Sequence, residues 1–400
     1  MRPLSKKVAS LEKSQTLALS ARAKKLQAEG VDVVSLTAGE PDFPTPEVVK
    51  QAAIMAIHEN FTKYTANQGI PELLKAISFK LQKENNLRFE PSQVLVSCGA
   101  KHSVYNALCS ICNKGDEVII PSPYWVSYPE MVKLVDAVPV LVKTSPRNQF
   151  KITPAQLRKA VTRRTKAFIL NSPCNPTGAV YTREELIALA KVIEKTDLYV
   201  LSDEIYEKVL FDGMKHFSIG SVDAIRDQVV TINGVSKAYS MTGWRIGYLA
   251  AAKAIVEGAE KVQSQMTSNA TSIAQKAAYA AISNDLSAEI SMMVGEFDKR
   301  RQFLIKAFKT IKGLEFIYPQ GAFYLFFNVK AYLKTVVDGK KLKTSDDLCE
   351  FMLTKHHVAM VPGTGFGDSN WVRMSYACSM QELEKAVDRL KKGFSQLARG

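Results

Sequence analysis

Between residues 93 and 250 the chain repeats one pattern: a short apolar run, then a stretch with helical spacing. The runs cover 93–97, 117–120, 138–142, 167–170, 199–202, 229–232 and 246–250, the second closed by Pro121. Short buried strands with helical crossovers describe a mostly parallel sheet covered on both faces. The pattern predicts an α/β fold around a seven-stranded sheet. One helix start is explicit: Thr182 is followed three residues on by Glu185, the spacing of a capping box. Past residue 285 the character changes. A long helical run (285–312), strand-like segments at 321–327 and 372–376 and a helical stretch from 381 predict a smaller α+β domain. The expected division is 46–285 for the large domain, and 1–45 with 286–400 for the small one, the N-terminal segment packing against the C-terminal part.

A chain of 400 residues with 46% hydrophobic content can bury both cores. Its apolar runs are broken by charge well before the roughly 18 residues of a membrane span. The start, Met1 to Lys7, has basic residues without an apolar core behind them, so neither a signal peptide nor a membrane partner is expected and a cytoplasmic location is. The net charge of +14 raises the question of nucleic acid. Lysines such as Lys340-Lys341 and Lys391-Lys392 are spread over amphipathic stretches rather than grouped with aromatics, so no nucleic-acid partner is expected. Cys109-x-x-Cys112 lies in an apolar helical run with no second pair or histidine at ligand spacing, and the five histidines form no zinc pattern; no metal is expected.

The chemistry-bearing residues follow the strands. Lys237 lies after 229–232, in Ser236-Lys237, ahead of Gly243-Trp244-Arg245-Ile246-Gly247. That setting suits an amine presented to a carbonyl cofactor with a phosphate held nearby. Ser97-Cys98-Gly99-Ala100-Lys101 is a strand end, a glycine turn and a helix start, where free N–H groups suit an anion. Asn175, between prolines and a glycine, follows 167–170, and Trp125 follows 117–120. Asp203 ends 199–202, and a buried carboxylate there needs a partner; a protonated pyridine nitrogen would be one. These elements converge on one crevice at the carboxyl ends of the strands, where doubly wound sheets bind ligands.

Taken in order, the motifs resemble those of class I, fold-type I aminotransferases, and among them the bacterial-type aspartate aminotransferases of subgroup Ib. The matching segments are Gly39-Glu40-Pro41-Asp42-Phe43, Tyr64-Thr65, Gly99-Ala100-Lys101, Asn175-Pro176-Thr177-Gly178, Asp203-Glu204-Ile205-Tyr206, Ser236-Lys237, Gly243-Trp244-Arg245-Ile246-Gly247 and Val372-Arg373-Met374-Ser375. The resemblance implies a pyridoxal 5'-phosphate enzyme. Lys237 would engage the cofactor aldehyde and then shuttle the substrate proton, which requires a depressed pKa. Asp203 would hold the pyridine nitrogen protonated so that the ring accepts electrons. Asn175 and Tyr206 would bond the 3'-oxygen, and Trp125 would stack on the ring. Gly99, Ala100, Lys101, Ser236 and Arg245 would line the cofactor and its phosphate, joined by Tyr64 from the partner subunit of a homodimer.

For the substrate, the resemblance assigns Arg373 to the α-carboxylate through two parallel hydrogen bonds, with Gly39 nearby. Lys101 and Thr16 match the positions that read the distal carboxylate. The implied activity is transfer of the amino group from L-aspartate to 2-oxoglutarate. Some subgroup members also accept prephenate and carry an arginine near Thr16; here that stretch is Leu11-Glu12-Lys13-Ser14-Gln15-Thr16. Alanine or aromatic aminotransferase and carbon–sulfur β-lyase activities share the same cofactor motifs. An effector-sensing domain of a transcription regulator would need an added DNA-binding region ahead of Gly39.

Overall fold

The computed structural model describes residues 4–11 and 15–398, with backbone only at 6 and 15–17. The central sheet has seven strands: β1 (Val94–Ser97), β2 (Glu117–Ser122), β3 (Val138–Lys143), β4 (Thr165–Asn171), β5 (Tyr199–Asp203), β6 (Val229–Gly234) and β7 (Gly247–Ala250). Their order is β1-β7-β6-β5-β4-β2-β3. Only β7 runs against its neighbours.

The apolar runs have no polar alternation because both sheet faces are covered. Side chains alternate between faces with period two. Val118, Ile120, Ile169, Leu201 and Val230 accordingly join one core layer, with Val104, Leu108 and Val256 from the covering helices. Their neighbours Ile119, Phe168, Leu170, Val200 and Val229 join the other, with Leu186 and Leu189. The predicted capping box closes the helix Arg183–Ile193: the Glu185 N–H donates to Thr182 Oγ1, and the Thr182 N–H donates to the Glu185 carboxylate.

Two local expectations are corrected. Pro121 does not close β2; the strand continues to Ser122 in register with β3, while its pairing with β4 stops at Ile119. Proline lacks an N–H, so it ends one ladder and tolerates the other. The 138–142 strand is not covered on both faces: β3 is an edge, and Val138 and Leu141 are exposed.

A second, antiparallel sheet contains β8 (Glu315–Phe316), β9 (Tyr324–Asn328), β10 (Val361–Pro362) and β11 (Trp371–Ser375), in the order β10-β11-β9-β8. It packs with the helices Ser287–Phe308, Ser345–His356 and Met380–Leu397 around Phe323, Phe327, Met352, Met374 and Phe394. The N-terminal segment joins this part. Val34–Ser35 pairs in parallel with Val358–Ala359, and Asp32 bonds Lys385 and Arg389. No helix of the described residues is long and apolar enough to cross a membrane.

Candidate active site

Strands β1, β2, β4, β5 and β6 point their carboxyl ends to one side of the sheet. Because β7 is reversed, its amino end, preceded by Arg245, arrives at the same side. Six of the seven runs therefore deliver Gly99, Trp125, Asn175, Asp203, Lys237 and Arg245 to a single rim.

The corner between Gly99 and Arg245 is built from close contact. Gly99 has φ +88, and a Cβ there would lie 2.3 Å from Arg245 Nη2; a Cβ at Gly247 would lie 2.1 Å from the Ala100 nitrogen. Glycine is needed at both positions for the loop to pack on β7. Gly99 caps the helix Ala100–Ile111 without a side-chain acceptor. Arg245 donates to the Thr242 carbonyl at 2.9 Å and approaches the Cys98 carbonyl at 3.4 Å. Ser236 is buried beside Lys237.

Lys237 keeps part of its surface open to the crevice, and its amine donates to the Gly39 carbonyl. Burial lowers its pKa to about 8, and the charges of Arg245 and Arg373 act in the same direction against Glu40 and Asp203. Asp203 is buried, with Oδ2 accepting the Tyr128 hydroxyl at 2.7 Å and Oδ1 facing the Ile205 N–H at 3.3 Å. Burial raises its pKa to about 6, although the Tyr128 hydrogen bond and Lys237 favour the anion. Asn171 ties the floor together, donating to the Asp203 carbonyl and accepting the Asn175 N–H, both at 2.9 Å.

Arg373 reaches the same crevice from β11, with only 2% of its surface exposed. Its guanidinium donates to Asn175 Oδ1 at 3.0 Å and to the Thr37 carbonyl at 2.9 Å, and lies over the Tyr324 and Phe366 rings. Its Nε has no hydrogen-bond partner among the described residues. Among the described residues it pairs with no carboxylate. A buried cation without a counter-ion is costly, and an anion entering the crevice would offset that cost. Tyr206 and Tyr324 share a hydroxyl hydrogen bond at 2.7 Å, joining β9 to the turn after β5.

Lys101 lies with Nζ 4.8 Å from the Trp125 ring centroid. Burial, then the charge of Arg245, lower its pKa. Tyr64 is 89% exposed. Thr16 falls in the helix Gln15–Ala28, but its side chain, with Glu12 and Lys13, lies outside the described residues.

Four participants escaped the sequence reading: Thr37, Tyr128, Asn171 and Tyr324. Asn171 ends an apolar run as Asp203 does and carried a usable signal. Tyr128 lies three residues after Trp125, their rings edge to face at 5.2 Å, which marks a shared site only once Trp125 is placed.

Glu204, Glu207 and His216 bring ligand-type atoms within 4.8 Å of one another. Their oxygens are already engaged. Glu204 accepts Ser202, Ser218 and His216, and Glu207 accepts Lys80 and Asn85. The cluster is a closed ionic clamp between the helix Pro71–Asn85 and the Asp203–Glu207 turn.

Residues 31–390 match the family model for aminotransferase class I and II. The chain is 48% identical over 388 residues to an aspartate aminotransferase of Geobacillus stearothermophilus, covering 97% of this chain and 98% of that protein. It is 45% identical over 393 residues to a bifunctional aspartate aminotransferase and glutamate/aspartate-prephenate aminotransferase of Petunia hybrida, covering 97% and 82%. Among solved structures, the aspartate aminotransferase of Thermus thermophilus with maleate superposes with a TM-score of 0.93 at 42% identity, covering 98% of this chain and all of that one. With the order of its motifs, the rim that gathers them and these matches all in agreement, the chain belongs to the class I and II aminotransferase family.

Proposed function

We propose that this aminotransferase moves the amino group of L-aspartate to 2-oxoglutarate, in two alternating half-reactions that give oxaloacetate and L-glutamate. The observation that carries this reading is Arg373: a buried guanidinium with no carboxylate partner among the described residues, facing the crevice that holds Lys237 and Asp203.

The residues fit pyridoxal 5'-phosphate. The Gly99 turn, the uncapped helix start and Arg245 suit its phosphate, and buried Asp203 suits a protonated ring nitrogen. When bound, this group supplies an aldehyde for amines and a ring that takes up the electron pair released at Cα. Lys237 would supply the amine that the aldehyde engages and, once the substrate amine displaces it, the freed amine would take and return the Cα proton; its lowered pKa leaves a useful neutral fraction near neutrality. Asn175 and Tyr206 orient the ring oxygen, Trp125 covers the ring, and Ser236 and Ala100 complete the phosphate corner. Arg373, with Gly39, holds the substrate α-carboxylate and so aims the Cα bond. Lys101 and Thr16 read the distal carboxylate; the position of Lys101 over Trp125 supports its part of this.

We further read 46–285 as the cofactor-binding unit, and 1–45 with 286–400 as the smaller one. The pairing of Val34–Ser35 with Val358–Ala359 supports that division. A homodimer is the expected assembly, with Tyr64 reaching the partner's site. Exposed Tyr64, and Ile54, Met55 and Ile57 exposed on the helix Glu47–His58, support it.

The test is a substrate panel. Purified enzyme with pyridoxal phosphate should show a change in the cofactor absorbance band on adding L-aspartate, reversed by 2-oxoglutarate. No change with aspartate would sink the assignment. Relatives named for both aspartate and prephenate support a second activity, so prephenate belongs in the panel, with alanine, aromatic amino acids and cysteine sulfinate.

A further inference from the structure

Asp203 is held by a neighbour to which no cofactor or substrate role has been given above. Tyr128, on the helix Ser127–Leu134, is 2% exposed, and its hydroxyl has Asp203 Oδ2 at 2.7 Å. The ring is pinned by the core layer it joins and by the edge-to-face contact with Trp125. Its hydroxyl hydrogen therefore has a fixed acceptor, and a buried phenol without one would leave an unpaired polar group.

Resting on the cofactor assignment above, we propose that Tyr128 is a positioning residue for the cofactor: its hydroxyl orients the Asp203 carboxylate and keeps it ionised, ready to hold a protonated ring nitrogen. A carboxylate this deeply buried favours its neutral form, and a neutral acid cannot balance a ring cation. The groups facing Asp203 are Tyr128, Lys237, Glu204, Tyr206 and Cys174. Of these, Tyr128 and Lys237 favour the anion and Glu204 opposes it, while Tyr206 donates or accepts elsewhere, to Tyr324. With the cofactor aldehyde bound, Lys237 would no longer offer a free ammonium near Asp203. Among the side chains facing Asp203, Tyr128 then remains as the one that donates a hydrogen bond to it. Tyr128 thus matters more in the loaded enzyme than in the empty one.

The experiment measures binding of pyridoxal phosphate to the apo-protein by absorbance titration between pH 5 and pH 9 (on the order of two units either side of neutrality). The proteins are wild type, Tyr128→Phe, Asp203→Ala and the double variant. Loss of a hydrogen bond to a charged group predicts affinity weakened about tenfold or more in Tyr128→Phe. Its acid limb should also move to higher pH, because Asp203 then protonates more readily. In the Asp203→Ala background the Tyr128 change should cost nothing further. Equal losses in both backgrounds would mean that Tyr128 only supports the fold, and would overturn the proposal. Unchanged affinity and an unmoved acid limb in Tyr128→Phe would overturn it too, while leaving the cofactor assignment standing. Wild-type protein that fails to bind pyridoxal phosphate at all would overturn both.

Discussion

Arg373 Nη1 donates to Asn175 Oδ1 at 3.0 Å, so a strand of the C-terminal sheet and a loop of the central sheet meet in one hydrogen bond. The two residues are 198 positions apart in sequence. Asn175 is itself fixed through Asn171 to the backbone of Asp203. The group assigned to the substrate carboxylate and the group assigned to the cofactor ring are therefore parts of one network.

Replacing Arg373 with alanine should reduce kcat/KM for aspartate by roughly thirtyfold to several thousandfold, the about 2–5 kcal/mol of a truncated buried charge contact. Arg373→Lys should recover little of this, because an ammonium cannot make two parallel bonds to a carboxylate. Steady-state kinetics on both variants checks the size and the ordering. Full activity in the lysine variant would contradict the two-bond geometry.

Lys237 should react as an amine with a pKa of about 8. Its neutral fraction falls about tenfold for each pH unit below that value. The rate at which apo-protein captures pyridoxal phosphate in a borohydride-reducible form should therefore climb with pH and level off above about 8. Peptide mapping should place the reduced adduct on Lys237, and Lys237→Arg should abolish it. A rate still climbing above pH 10 would show that the site does not depress the amine.

Lys101→Ala should cost activity on aspartate far more than on alanine, since only the former has a second carboxylate for Lys101 to read. The side chain is already held over Trp125, so its loss removes a placed charge rather than a mobile one. Comparison of the two half-reactions decides the matter. Equal losses on both substrates would reassign Lys101 to the cofactor alone.

His216 should link stability to pH. Burial works against its protonation, but Glu204 and Glu207 outweigh burial and the opposing Lys80, so its pKa is raised in the folded state. A raised folded pKa gives stability that is complete below the unfolded value of about 6.5 and is lost as pH rises through the folded value. Thermal melts across that range should fall with pH in the wild type. In His216→Asn they should start lower and run flatter there, because the group whose proton is lost is gone. Parallel curves for the two proteins would remove His216 as the cause.

The central sheet was legible in the sequence because every strand but β3 is buried on both faces, and that burial leaves an unbroken apolar run. Gly99, Lys237, Asp203 and Arg245 were legible because each follows or precedes such a run at a rim where ligands collect. The reach of β2 past Pro121 and the exposure of β3 were not. Both depend on which neighbour a strand finds, and pairing is not written within a single strand. Tyr128, Thr37 and Tyr324 stayed hidden for the same reason. A tyrosine in a helix or a carbonyl in a loop has no functional signature until another segment arrives against it. The sequence by itself determined the apolar runs of the central strands and the reactive groups that follow them. Only the tertiary structure decided that Arg373 would be buried with no carboxylate partner among the described residues and that Asp203 would be held by Tyr128. Both outcomes come from contacts between segments far apart in the chain, where burial makes each unpaired charge costly and each hydrogen bond specific.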